Sequence, residues 1–208
     1  MTITQLDIQP GIPVANVPLD TKVQMTGGLQ GEGWVTPLHG PHYAACYSGN
    51  VFHAFVAGVT VPVIAQSFAS VFSIWNPNNS SVNLELISAD VGIVLATTVV
   101  DHVGIYYQSN AAPTLTTLGT PVNGKLGIGA TNQGKFYSAL THVGATPALA
   151  AIIATFGAVT STADNPIHYD FNGKLLVPPG TVISIAMSTA ASTSSGLSLG
   201  LSWAEWPI

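Results

Sequence analysis

Six histidines are the first groups in this 208-residue chain whose chemistry could matter. His39 and His42 stand close together in Leu38-His-Gly-Pro-His42, and His53 follows further on. Zinc needs three or four ligands on a rigid frame, held in turn by second-shell partners. Gly40-Pro41 puts the first two histidines on a loop that leaves their relative direction unset, so they read as turn or interface residues. His102, His142 and His168 each stand alone in strand-like sequence. Asp101-His102 and His168-Tyr169-Asp170 could be halves of an acid–base site. No nucleophile motif accompanies them, since Gly-x-Ser-x-Gly and His-Glu-x-x-His are both absent from the sequence.

The nine acidic residues are scattered. Glycoside hydrolysis needs two carboxyls facing each other across a cleft. Glu85 and Glu205 are candidates only if the fold brings them together, and they read as solvated or interfacial groups. Gly127-Ile-Gly-Ala-Thr-Asn-Gln-Gly134 has the look of a phosphate loop, yet no Lys-Ser/Thr follows and neither nucleotide fingerprint is met. Its glycines read as turn residues. Asn78-Asn-Ser80 and Asn79-Ser-Ser81 match glycosylation sequons, which carry meaning only in an exported chain. Tyr106, Tyr107, Tyr137 and Tyr169 could form a sugar-stacking platform or be half-buried sheet residues. Cys46, the single cysteine, reads as a small packed apolar residue. Site assignments therefore stand at none for catalytic, cofactor-binding and metal-ligating residues.

Composition explains why the chemistry is sparse. Hydrophobic residues make up 47% of the chain and charged residues 6%, against about 25% charged in ordinary soluble domains. A surface so short of ions must be covered by Ser, Thr, Asn and Gly, or by other protein. The basic residues are four lysines, Lys22, Lys125, Lys135 and Lys174, with no arginine, and the net charge is −5. Nucleic-acid binding rests on clustered cations that displace counterions, and a polybasic membrane patch needs the same clustering. Neither partner is expected. One cysteine permits no intrachain disulfide. The amino terminus has no basic start and apolar run of a secretory signal, and the longest apolar stretch, 147–159, is short of the ~20 residues that span a bilayer. The expected place of synthesis is a cytoplasm.

The elements that must position these groups read as strands. Residues 1–42 are punctuated by Pro and Gly too often for long regular elements, so they are expected to form an extended arm laid along the main domain or a neighbour. Residues 43–208 form the expected domain. Val51–Val56, Ser70–Trp75, Ser81–Ile87, Gly92–Val100, His102–Tyr107, Lys174–Val177, Thr181–Met187 and Leu197–Trp203 carry apolar, β-branched or alternating patterns. Val82, Leu84 and Leu86 should share one face, as should Leu197, Leu199, Leu201 and Trp203. Asn76-Pro-Asn-Asn79 and Pro178-Pro-Gly180 are turn signals, and Asn123-Gly124 and Asn172-Gly173 suit type I′ hairpins. Residues 147–157 fit a strand or a buried helix, and strand is favoured because the neighbours are β. Eight to ten short strands give an all-β fold, a sandwich or barrel.

The succession Tyr43-Ala-Ala-Cys-Tyr-Ser-Gly-Asn-Val-Phe-His-Ala-Phe55, Phe72-Ser-Ile-Trp-Asn-Pro-Asn-Asn-Ser-Ser81, Asn172-Gly-Lys-Leu-Leu-Val-Pro-Pro-Gly-Thr181 and Leu199-Gly-Leu-Ser-Trp-Ala-Glu-Trp-Pro-Ile208 resembles small virion structural proteins of tailed bacteriophages. The likeness is to the jelly-roll head-decoration, or capsid cement, type, and it covers about four-fifths of the chain. It implies a jelly-roll-like antiparallel β-sandwich, here with an extended N-terminal arm. It also implies a homotrimer bound to the major capsid protein on the virion exterior, with no enzymatic activity and no cofactor. A tail, baseplate or fibre module and a carbohydrate-binding sandwich are the alternatives.

Overall fold

The computed structural model describes residues 42–63, 68–94, 101–109, 114–129, 131–142, 146–156, 166–188 and 196–208. The arm expected over 1–42 lies outside these residues except for His42, and His42–Ile208 forms one unit. That unit opens with a short helix, α1 (Tyr43–Tyr47), and continues in strands. These are β1 (Val51–Thr60), β2 (Phe68–Ser70), β3 (Ser73–Asn76), β4 (Val82–Ile93), β5 (Asp101–Ser109), β6 (Thr114–Leu118) and β7 (Val122–Asn123). Then come β8 (Lys135–His142), β9 (Ala148–Phe156), β10 (Ile167–Asp170), β11 (Leu176–Val177), β12 (Thr181–Met187) and β13 (Gly196–Pro207).

The strands form two antiparallel sheets, the expected all-β sandwich. The first runs β10-β4-β13-β1-β7, with β11 also on β4; the second runs β2-β8-β3-β12-β5-β9, with β6 also on β8. β2 and β3 pair successive stretches of β8, so they are one line of chain interrupted at Val71-Phe72. β10 and β11 likewise share one edge of β4. With each interrupted line taken as one strand, the pairing is nested. β1 lies on β13, β3 on β12, β4 on β10 and β11, and β5 on β9. β6, β7 and β8 belong to an excursion between β5 and β9 that extends both sheets beyond β1 and β2/β3.

Period-two alternation builds the core between the sheets. Leu197, Leu199, Leu201 and Trp203 of β13 are all buried, as are Val82, Leu84 and Leu86 of β4, and Phe72, Ile74, Ile105 and Ile185 meet them from the second sheet. Each such side chain contributes about 1.5–3 kcal/mol by leaving water. Phe52 packs on Trp203 and Phe72 on Phe136, at ring-centroid distances of 5.9 and 4.9 Å.

Several elements differ from the sequence reading. Tyr43–Tyr47, expected within strand sequence, is helical and packs Ala45 and Cys46 against Val51 and Ala204. Ser81–Ile87 continues through Ser88–Val91 into one strand, because the register shift opposite Ser202/Trp203 moves the inward positions from Leu84 and Leu86 to Ala89 and Val91. Such a bulge breaks alternation without ending a strand. Residues 95–100 lie outside the described residues. Residues 147–157 are β9, a strand as favoured. Asn123-Gly124 is no hairpin turn, since neither residue has positive φ; Asn123 ends β7 against β1. Asn172 and Gly173 do take φ of 49° and 71°, and Lys174 N–H donates to the Phe171 carbonyl, so the local turn chemistry is the expected one. It joins β10 to β11 along the same edge of β4 rather than reversing the chain. The Pro178-Pro-Gly180 turn forms as read, with Gly180 at φ 80° and Thr181 N–H donating to the Pro178 carbonyl.

Candidate functional site

The outer face of the first sheet carries a polar band across four strands. Cross-strand register sets His53, Ser202, Ser88 and Asp170 in one row and Phe55, Gly200, Asp90 and His168 in the next. His168 on β10 bridges two carboxylates: its Nδ1 is 2.6 Å from Asp90 Oδ1 and its Nε2 is 3.0 Å from Asp170 Oδ1. The hydrogen bond to Asp90 raises the His168 pKa above its ordinary 6.5, and Asp170 adds to the rise. His53 Nδ1 lies 2.7 Å from Ser202 Oγ. Burial lowers the His53 pKa while the charge of Asp90 pulls it the other way.

The contacts of this band clasp β10 to β4 and β1 to β13. Asp90 acts on His53 through charge, while its hydrogen-bonding oxygen is committed to His168, so no Asp–His–Ser relay is formed. Both ring nitrogens of His168 are occupied by carboxylates. Among the described residues no group of three or more His, Cys, Asp or Glu is arranged to hold a metal ion.

A second network lies on the outer face of the other sheet and is buried. His142 on β8 contacts Gln108 Oε1 through Nδ1 at 3.0 Å and Ser184 Oγ through Nε2 at 2.7 Å, and Ser184 Oγ is 2.6 Å from Ser73 Oγ. An amide oxygen only accepts, so Nδ1 carries the proton and Nε2 accepts from Ser184, which in turn accepts from Ser73. Burial lowers the His142 pKa to about 4. The network ties β8, β3, β12 and β5 together through one neutral imidazole.

The carboxylates considered as a catalytic pair are separated by the sheet itself. Glu85 projects outward and accepts from Trp206 Nε1, whereas Glu205 is buried on the inner side. Glu205 accepts from the N–H groups of Gln133 and Gly134, each at 2.9 Å, and from Trp203 Nε1 at 3.4 Å. The end of the glycine-rich loop thus spends its N–H groups on a carboxylate of its own chain. A Cβ at Gly134 would stand 2.8 Å from Leu84 Cδ1, so a larger residue there needs the Leu84 side chain to move.

The remaining candidates are dispersed. His39 lies outside the described residues, His42 precedes α1, and His53 sits with Ser202. His102 pairs with Thr155 across β5 and β9 at 2.9 Å, on the other sheet from Asp170, the second half of the acid–base arrangement considered. Tyr106 and Tyr137 are buried, Tyr107 projects from the opposite face of β5, and Tyr169 packs edge-on against Phe171. The four tyrosines make no common platform.

Sequence reasoning missed an apolar cleft of about 260 Å³ where the sandwich opens between β11 and the β5/β9 edge. Leu86, Ile105 and Ile183 form its floor, and Tyr107, Ala150 and Leu176 are on its walls. Leu176 and Tyr107 are exposed, whereas Leu149 and Ile152 of β9, also exposed, are in register with Tyr106 and Gly104 on the opposite face. The legible signal was the uncharged run Ala148–Phe156 together with the Leu175-Leu176 doublet. Comparison with family models, curated proteins and solved structures finds no match.

Proposed function

We propose that this chain is a non-enzymatic structural protein of a tailed-phage virion, a head-decoration component that binds and stabilises the major capsid shell. The observation that carries the reading is the nested pairing of the strand lines, first with eighth, second with seventh, third with sixth and fourth with fifth. Such nesting supports a jelly-roll reading of the sandwich, the architecture used by viral capsid and lectin domains. Two further features support it. The polar clusters are satisfied internally, and the surface has few charges but presents large apolar side chains at Phe55, Leu118, Leu126, Leu149 and Leu176. Exposed apolar side chains favour contact with other protein where they cluster.

The test is co-sedimentation of the purified chain with assembled, undecorated phage heads. Saturable binding that raises the temperature at which the heads break open is the expected result. A monodisperse monomer with no affinity for heads would overturn the reading. Binding to tails or fibres instead would move it to another virion part.

A further inference from the structure

We propose that Cys46 and His53 form a thiol-exchange site, at which the Cys46 sulfur attacks a small disulfide while His53 takes its proton. The proposal goes beyond the shell reading above and is independent of it. It starts from Gly124, the residue that follows β7. A Cβ on Gly124 would stand 3.1 Å from His53 Nε2, 3.3 Å from Cys46 Sγ and 3.3 Å from Val51 Cγ1. The imidazole and the thiol therefore border one methyl-sized space that the glycine leaves open. Cys46 belongs to α1 and His53 to β1, so the pair is assembled only by the fold.

His53 is placed to act as a base. Its Nδ1 contact with Ser202 Oγ at 2.7 Å is its one hydrogen bond among the described residues. Donation of Nδ1–H to that hydroxyl holds the ring and leaves the lone pair on Nε2, the atom that borders the gap. Burial lowers the His53 pKa and the charge of Asp90 opposes the fall, so at pH 7 the ring is mainly neutral, as a base must be. Lys125, next in sequence to Gly124, keeps its Nζ on the Tyr47 carbonyl at 2.9 Å and over the Tyr47 ring. A thiol, a base beside it and a third group orienting the base are the parts of an activated nucleophile. Cys46 is half-buried and His53 exposed, which leaves the sulfur within reach of a small reagent. In the step, Cys46 Sγ bonds to one sulfur of the disulfide, the S–S bond breaks, and the other half leaves as a thiolate. The thiol proton passes to His53 Nε2. The sequence holds no second cysteine, so the mixed disulfide on Cys46 persists until an outside thiol removes it.

The test is the rate at which the full chain reacts with dipyridyl disulfide between pH 5 and pH 8, read from the released thiol, with the adduct located by mass spectrometry. A free thiol gains about tenfold in rate per pH unit below its ordinary pKa of about 8.5. Wild type is expected instead to level off above pH 6.5, once His53 is neutral. His53→Gln should return to the free-thiol profile and react about tenfold more slowly at pH 6.5. Gly124→Ala, whose methyl fills the gap, should also lose rate, with folding checked by thermal unfolding. A wild-type profile that climbs like a free thiol, an equal rate in either folded variant, or no adduct on Cys46 would each overturn the site. The wild-type profile decides alone should a variant fail to fold.

Discussion

Asp90 and His168 face each other from adjacent strands, β4 and β10, with 2.6 Å between Oδ1 and Nδ1. Because the folded chain holds this imidazole more basic than an unfolded one, the clasp stabilises β10 below pH 6.5 and releases that contribution as pH rises through the elevated pKa. An NMR titration should place the His168 midpoint above 6.5 in the wild type. In Asp90→Asn the midpoint should fall toward 6.5, and an unchanged midpoint would show that the carboxylate is not its cause.

His142 has the opposite linkage. Its pKa falls from 6.5 to about 4 on folding, so stability is full above pH 6.5 and declines as pH falls toward 4. A shift of this size corresponds to about 3 kcal/mol across the window. Urea unfolding at pH 7 and pH 4.5 should show a loss of this order. The His142→Gln variant should lose less over the same interval, and an equal loss would remove His142 as its source.

Glu205 satisfies two backbone N–H groups and an indole N–H. Glu205→Ala leaves those donors without their acceptor and is expected to cost roughly 2–4 kcal/mol. Hydrogen exchange should localise the damage, with protection lost first at Gln133 and Gly134. Uniform loss across β13 would instead mean that the carboxylate matters chiefly to its own strand.

Gly104 faces β9 so closely that a Cβ would stand 2.8 Å from the Ala151 carbonyl oxygen and 2.7 Å from Leu149 Cδ1. A leucine methyl can turn away, but a backbone oxygen moves only with its strand. Gly104→Ala should destabilise by about 1–3 kcal/mol, read from thermal unfolding. A neutral outcome would show that β9 yields freely at its register shifts.

Where side chains alternated without interruption, the fold was legible: Thr181–Met187 and Leu197–Trp203 appear as β12 and the body of β13. Legibility failed where the pattern carried a local irregularity. The register shift near Ile87 disguised one long strand as two, and β10, although His168 stood in strand-like sequence, is only four residues long and too short to show an alternation. Of the polar band, the sequence flagged His168 and Asp170 but not Asp90, which joins them only through strand pairing across a separation of 78 residues. The apolar lining of the cleft was signalled by Ala148–Phe156 and Leu175-Leu176, but its position was not, because it is a gap between sheet edges rather than a property of any segment.

β13 sits between β1 and β4 in the middle of the first sheet, and its Ser202 lies 149 positions along the chain from its neighbour His53. Nascent β1 and β4 therefore wait, each with an unmatched flank, until Gly196–Pro207 has been made. Loss of β13 would remove the keystone of one wall rather than trim its margin, and the first sheet closes only once this late strand has been delivered.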